Sequence, residues 1–247
     1  MLSEKRKMTR ADYLKALPPI EKPINVRLKF VKKGNLQYIS HLDLQRSFNR
    51  ILVRSGLPVW YSKGFNPHIK LVFSTPLSVG TQSECEYLDL KLDRELPFED
   101  VKAMLNAEMT DEMYIKEVYT PKMSFSEIAY CEYELEISCE GASSEMARNV
   151  ERALFESPLN VIKKTKSGEK EIDIIPLIKS CGVSYSEERG TVMISTVLNA
   201  TTENFLKPEL VMTALKDKLG IMSGDMSREW YSIMRKRLLT EALEEFV

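Results

Sequence analysis

Between Val26 and Gly56 the hydrophobic period switches from two residues to about 3.6, and this switch constrains the fold more than any other feature of the chain. In VRLKFVKKG, Val26, Leu28 and Phe30 alternate with Arg27 and Lys29, the pattern of a half-buried strand closed by Gly34. In SHLDLQRSFNRILVRSG, Leu44, Phe48, Ile51 and Leu52 share one helical face. Arg46, Arg50 and Arg54 recur four apart on the opposite face. Ser40 stands at the N-cap position with Asp43 three residues on, and Gly56 stops the helix.

The same alternation of periods continues. LPVWYSKG and IKLVFS are short apolar runs on either side of the turn chemistry at Gly64, Asn66 and Pro67. CEYLDLKL reads as a strand, PFEDVKAMLNAEM as a helix with Pro97 in its first turn, and MYIKEVYT as a closing strand. The order β-α-β-β-α-β is the split βαβ, or ferredoxin-like, signature. A second pass follows: strand YCEYELEIS, capped helix SSEMARNVERALFES, and a hairpin in NVIKKTKSGEKEIDI over Ser167–Gly168. Strand TVMISTVLNA and a helix starting near Pro208 come next. REWYSIMRKRLLTEALEEFV reads as an extra C-terminal helix. The expectation is therefore an α+β chain of two tandem ferredoxin-like units, the second irregular. A Pro-rich flexible arm over 1–23 leads into a basic unit, 24–122, and an acidic unit, 123–247, that ends in that helix.

Charge divides along the chain. Residues 1–75 hold fifteen Lys and Arg against four acids, a net of +11, which leaves −12 for the rest. Such a split points to a polyanion-facing region beside an acidic one, or to two surfaces that attract each other. No apolar run is long enough to span a membrane and the N-terminus has no apolar signal core, so the chain reads as cytoplasmic. Cys85, Cys131, Cys139 and Cys181 form no C-x-x-C pair, which argues against a zinc ribbon or an iron–sulfur cluster. Nothing in the residues calls for a cofactor or a resident metal.

The basic block holds the candidate site. The arginine row of Arg46, Arg50 and Arg54, with Lys29, Lys32, Lys33, Lys63 and Lys70, makes a phosphate-binding surface. Tyr38, Trp60, Tyr61 and Phe65 lie among those charges and could stack on unpaired bases, although Trp60 and Phe73 also suit a core. The same arginines could instead form a solvated face or dock on protein. Both histidines of the chain, His41 and His68, fall in this block. Structural roles at a helix start and a turn, RNA contact or acid–base catalysis on a 2′-hydroxyl, and metal ligation all fit that pattern.

Four strings carry a family resemblance: Tyr38–Leu44, Pro58–His68, Pro76–Gly80 and Ser83–Asp89. They closely resemble the YxSHLDL helix start, the P-x-x-Y-S-x-G-F-N-P-H turn, the P-L-x-x-G loop and the S-x-x-E-Y-x-D strand of the radical-SAM-linked protein family, a bacterial domain of unknown function. GEKEIDIIPLI, around Asp173 and Pro176, resembles a second block, and the likeness spans roughly residues 24–200. The resemblance implies a radical SAM partner, often of the cobalamin type, and an accessory or presenting role around RNA or ribosome modification. It supplies no catalytic residue, and the chain lacks the C-x-x-x-C-x-x-C motif of the radical enzyme. A more distant likeness is to CRISPR RNA-processing endonucleases, whose late glycine-rich loop is represented here only by Gly220 and Gly224. Three expectations result. The first is an RNA-presenting accessory protein, the second a protein adaptor without RNA contact, and the third a metal-independent ribonuclease using His41 and His68. The balance leans away from catalysis by this chain.

Overall fold

The structure, a computed structural model, describes residues 16–18, 20–156, 158–165, 168–224 and 227–247. It is a mixed α+β protein with four helices among the described residues and mostly antiparallel strand pairing. The chain divides into two compact units. One comprises residues 1–76 and 86–122, the other residues 77–85 and 123–247.

The first unit begins with β1 (Ile24–Lys32) and α1 (His41–Ser55), followed by β2 (Val72–Phe73). The later part of β3 (Thr81–Leu92), α2 (Phe98–Asn106) and β4 (Met113–Tyr119) complete it. Its strands are ordered β4-β1-β3, with β2 paired to β3. The helix start is as the sequence predicts: the Asp43 amide donates to Ser40 Oγ at 3.2 Å, and Gly56 ends α1 in the left-handed conformation. Leu44, Phe48, Ile51 and Leu52 bury against Val26, Leu28 and Phe30 of β1 and Leu88, Leu90 and Leu92 of β3. Val101, Met104 and Leu105 of α2 join the same core. The Asn106 side chain ties α2 to β4 by bonding both the amide and the carbonyl of Ile115. Before β1, the Ile20 amide donates to Asp93 O and Leu17 packs on the core, so residues 16–23 are tied to this unit where they are described.

On the opposite sheet face Arg27 is buried, 1% exposed, and makes a two-pronged ion pair with Asp89 at 2.7 and 2.8 Å. Tyr119, across the ladder from Arg27, has its phenol pushed up to about 12 by burial, against the pull of the guanidinium. It therefore stays neutral throughout the physiological range.

The second unit contains β5 (Tyr130–Ser138), α3 (Ser144–Phe155), β6 (Asn160–Thr165) and β7 (Gly168–Asp173). These are followed by β8 (Ile178–Ser186), β9 (Thr191–Asn199), α4 (Pro208–Leu219) and β10 (Trp230–Leu239). Its sheet runs β10-β5-β9-β8, with the start of β3 parallel to β10 at Thr81–Ser83. The β6–β7 hairpin forms as its sequence predicts, although residues 166 and 167 of its turn lie outside the described residues. Asp173 closes the hairpin base by accepting from the amides of Leu159 and Ile175.

The predicted C-terminal helix does not exist. Trp230–Leu239 is a strand that pairs with β5 from Ser138 back to Tyr130. Its Met, Arg, Lys and Leu residues favour helix, and Trp230, Ile233, Met234 and Leu238 also fit helical spacing. The register of the β10–β5 pairing shifts between Arg235 and Arg237, which hides the period of two. Pairing with β5 overrides local propensity, and a turn at 240–244 then tucks Phe246 against Phe125. Strand β8 has no clear apolar period, because Lys179, Ser180, Gly182 and Ser184 are exposed along it.

Replacing Asp89 by Ala should cost unit 1 roughly 3 kcal/mol, because Arg27 keeps its buried charge after losing its carboxylate. Urea denaturation followed by circular dichroism checks this, and a loss below about 1 kcal/mol would contradict it.

Candidate nucleic-acid interface

The edge strand beside β3 is interrupted. Val59 bridges Leu92 and the Trp60 amide donates to Lys91 O, so the chain begins as a regular antiparallel partner of β3. It leaves after Trp60 and rejoins at Val72 and Phe73, opposite Asp89 and Leu88. Leu92, Lys91 and then Asp89 are met in nearly unbroken register. Residues 61–71 are therefore an excursion from a single edge strand, and they contain the Y-S-x-G-F-N-P-H string.

The excursion is closed by its own bonds. Tyr61 bridges Ile69, and the Ser62 amide donates to His68 O at 2.9 Å. The His68 amide donates back to Ser62 Oγ at 3.0 Å. The imidazole Nδ1 lies 3.0 Å from the same Oγ and 3.2 Å from the Asn66 carbonyl oxygen. Gly64 takes φ +141°, a conformation that side chains resist, and so allows the tip to turn. The residues after it, Phe65 to His68, are exposed, and the Phe65 ring is fully so. Lys63 Nζ sits 5.8 Å from the Trp60 ring centre, and Lys70 is exposed just past the base.

α1 joins this loop through an aromatic cluster. Phe73 meets Phe48 at 5.7 Å and Phe30 at 6.4 Å, and His41 stands edge-on to Phe73 at 5.1 Å. The two histidines have different partners: His41 packs against Phe73 at the edge of the aromatic cluster and His68 closes the loop. Asp43 accepts from Ser40 Oγ at 2.7 Å, a bond that holds its carboxyl below the usual range, with Arg46 acting in the same direction.

The predicted basic face separates into parts. Arg46, Arg50 and Arg54 are all exposed. Arg46 pairs with Asp43 at 3.4 Å and Arg54 with Glu108 at 2.7 Å, while Arg50 has no ion pair among the described residues. Lys29 bonds Glu117 and lies over Tyr87, and Lys33 lies over Tyr114. Lys32 is buried, 2% exposed, with Nζ donating to Gln37 O. Lys32 continues the inward alternation of Val26, Leu28 and Phe30, and the register shift between Lys29 and Phe30, where β4 passes over Lys116, leaves that alternation in β1 unbroken. The exposed set is therefore Arg46, Arg50, Arg54, Lys63, Phe65, His68 and Lys70, together with Tyr38 and Tyr61. Among the described residues no three His, Cys, Asp or Glu side chains gather as metal ligands do.

A family model described as "Uncharacterized protein conserved in bacteria (DUF2344)" matches residues 25–208, from β1 to the first residue of α4. The chain belongs to this family. No curated protein matches this DUF2344 chain. Among solved structures, an unknown protein from Galdieria sulphuraria is 11% identical, covers 87% of this chain and 99% of its own, and has a TM-score of 0.26. DyPB from Rhodococcus jostii RHA1 is 10% identical over 89% of this chain and 94% of its own, with a TM-score of 0.20. Both scores are too low to argue a shared fold. No helix among the described residues is long and apolar enough to cross a membrane.

Several residues of the DUF2344 chain's four motifs have structural tasks. Ser40 caps α1, Ser62 and His68 close the loop, and Asp89 holds Arg27. A turn-fixing role for His68 is expected from the sequence, whereas its partner Ser62 and the Arg27–Asp89 pair are not, because those contacts appear only once the fold is traced. Ser62→Ala should loosen the loop without unfolding the unit. The amides of Ser62 and His68 should exchange at least about tenfold faster with deuterium, with a global cost of about 1 kcal/mol or less. Unchanged exchange at His68 would show that the hydroxyl does not hold the loop.

Proposed function

We propose that this DUF2344 protein is an accessory RNA-binding protein. In this reading its first unit grips an unpaired stretch of a structured RNA or ribosomal substrate, through loop 61–71 and the exposed arginines of α1, and presents it to a radical SAM partner. The observation that carries the binding half is the Phe65 ring, fully exposed on a loop closed by its own bonds and set between Lys63 and Lys70. A fixed aromatic face flanked by cations is what base stacking with backbone neutralisation requires. The presenting half rests on the resemblance of the four motifs to the radical-SAM-linked family. The finer description of each unit as ferredoxin-like is supported by the strand orders β4-β1-β3-β2 and β10-β5-β9-β8, with the β6–β7 hairpin as an insertion in the second. The protein-adaptor reading finds less support in unit 2, where Glu84 and Glu134 are bonded by Lys236, Glu132 by Arg237 and Glu136 by Arg189. A histidine-pair ribonuclease finds less still, since His41 is engaged with Phe73 and His68 with Ser62 and Asn66.

The ion pairs temper the charge. With Arg50, Lys63 and Lys70 free to meet about three phosphates of a single strand, affinity should fall about 20-fold between about 50 and about 200 mM salt. If Arg46 and Arg54 exchange their acids for phosphate, the fall rises to roughly 100-fold. Fluorescence anisotropy with a short single-stranded RNA measures this slope. Phe65→Ala should weaken binding about tenfold, and because its ring touches nothing the melting temperature should not move. No binding at the lower salt, or unaltered binding by Phe65→Ala, would overturn the RNA reading. A nuclease-resistant complex with the radical SAM protein in the absence of RNA affinity would overturn it in favour of the adaptor.

A further inference from the structure

We infer that the nucleotide seated on loop 61–71 is a ribonucleotide, recognised through its 2′-hydroxyl by Nε2 of His68. This rests on the RNA reading above and adds to it the group that distinguishes RNA from DNA. The inference starts from the Asn66 carbonyl oxygen, 3.2 Å from His68 Nδ1. A carbonyl oxygen can only accept, so Nδ1 carries the ring proton and shares it with Ser62 Oγ at 3.0 Å. The His68 amide also donates to that hydroxyl oxygen. In the neutral ring the lone pair is then on Nε2, and an imidazole held this way presents an acceptor.

That acceptor sorts the ligand chemistry. Phosphate oxygens are acceptors themselves and gain nothing from an unprotonated Nε2, so His68 does not duplicate the lysines. It needs a donor. The donors of a single strand are base N–H groups, which differ from base to base, and the ribose 2′-hydroxyl, which is present at every position. Phe65 offers a stacking face that any base can use, because every base has a π-face. A loop that tolerates any base at Phe65 and places one acceptor three residues away suits the donor that all ribonucleotides share. The task of His68 is recognition, with no bond made or broken.

The test uses the full chain with two labelled single strands of the same sequence, one RNA and one DNA. The wild-type protein should bind the RNA about three- to tenfold more tightly, the worth of one hydrogen bond. His68→Asn keeps a side-chain N–H near the Nδ1 position, and so the bond to Asn66 O, but has no atom at Nε2. It should lower RNA affinity to the DNA value and leave DNA affinity and the melting temperature unchanged. His68→Gln, which places an amide group near Nε2, should retain part of the preference. Equal wild-type affinity for the two strands, or an equal loss for both in His68→Asn, would overturn the inference while leaving the binding reading intact. Failure of the wild-type protein to bind either strand would overturn the binding reading itself, and this inference with it.

Discussion

The candidate site depends on how one segment pairs with β3. Val59 and Trp60 meet Leu92 and Lys91, and Val72 and Phe73 meet Asp89 and Leu88, so the ends of a long excursion are fixed in a single ladder. The ladder residues are themselves anchored. Leu88 and Leu92 point into the core, while Asp89 points to the other face and holds the buried guanidinium of Arg27. An excursion from a regular strand is a rigid way to project a loop, because its base cannot slip by one residue without turning Val59 and Phe73 away from the core. The Ser62–His68 bonds complete the closure inside the loop. The ordering cost of the tip is thus met in the free protein, which leaves less to be lost when a ligand arrives.

Charge and exposure are separate quantities in this unit. The net of +11 over residues 1–75 suggests a broad cationic surface, yet Lys32 is buried, Lys29 and Lys33 lie against tyrosines, and Arg46 and Arg54 hold acids. Among the described residues of the candidate face, what remains is one arginine on α1 without an ion pair and two lysines around an aromatic tip. Exposed ion pairs are worth little to stability, so Arg46 and Arg54 lose little by exchanging a carboxylate for a phosphate. A surface with few contacts binds weakly by itself and suits a presenting role, in which a second protein supplies the rest of the grip.

Much of this was legible in the sequence, and what was not shares one physical cause. α1 could be bounded by Ser40 and Gly56 because caps and periodicity are local. The Gly64–Pro67 turn was legible for the same reason, and with it the exposure of Phe65. Features set by distant residues were not. The Arg27–Asp89 pair spans 62 positions, and the interrupted edge strand shows only once Val59 and Val72 are seen on the same neighbour. Lys32, by contrast, falls on the face of Val26, Leu28 and Phe30 by simple alternation, so its burial was legible although its charge argued against it. Residues 230–239 have the composition of a helix and are a strand because the exposed ladder of β5 needs a partner. Within the site, the i,i+3 partner of Arg46 could be read from spacing, whereas Glu108 opposite Arg54 could not.

The central claim is that one loop of the first unit meets nucleic acid, and ultraviolet crosslinking tests it most directly. The full chain would be irradiated with single-stranded RNA, digested, and its nucleotide-bearing peptides located by mass spectrometry. The account predicts adducts concentrated at Tyr61–Lys70, with Phe65 carrying the greatest share. Adducts found only in residues 123–247, with none on this loop, would contradict it.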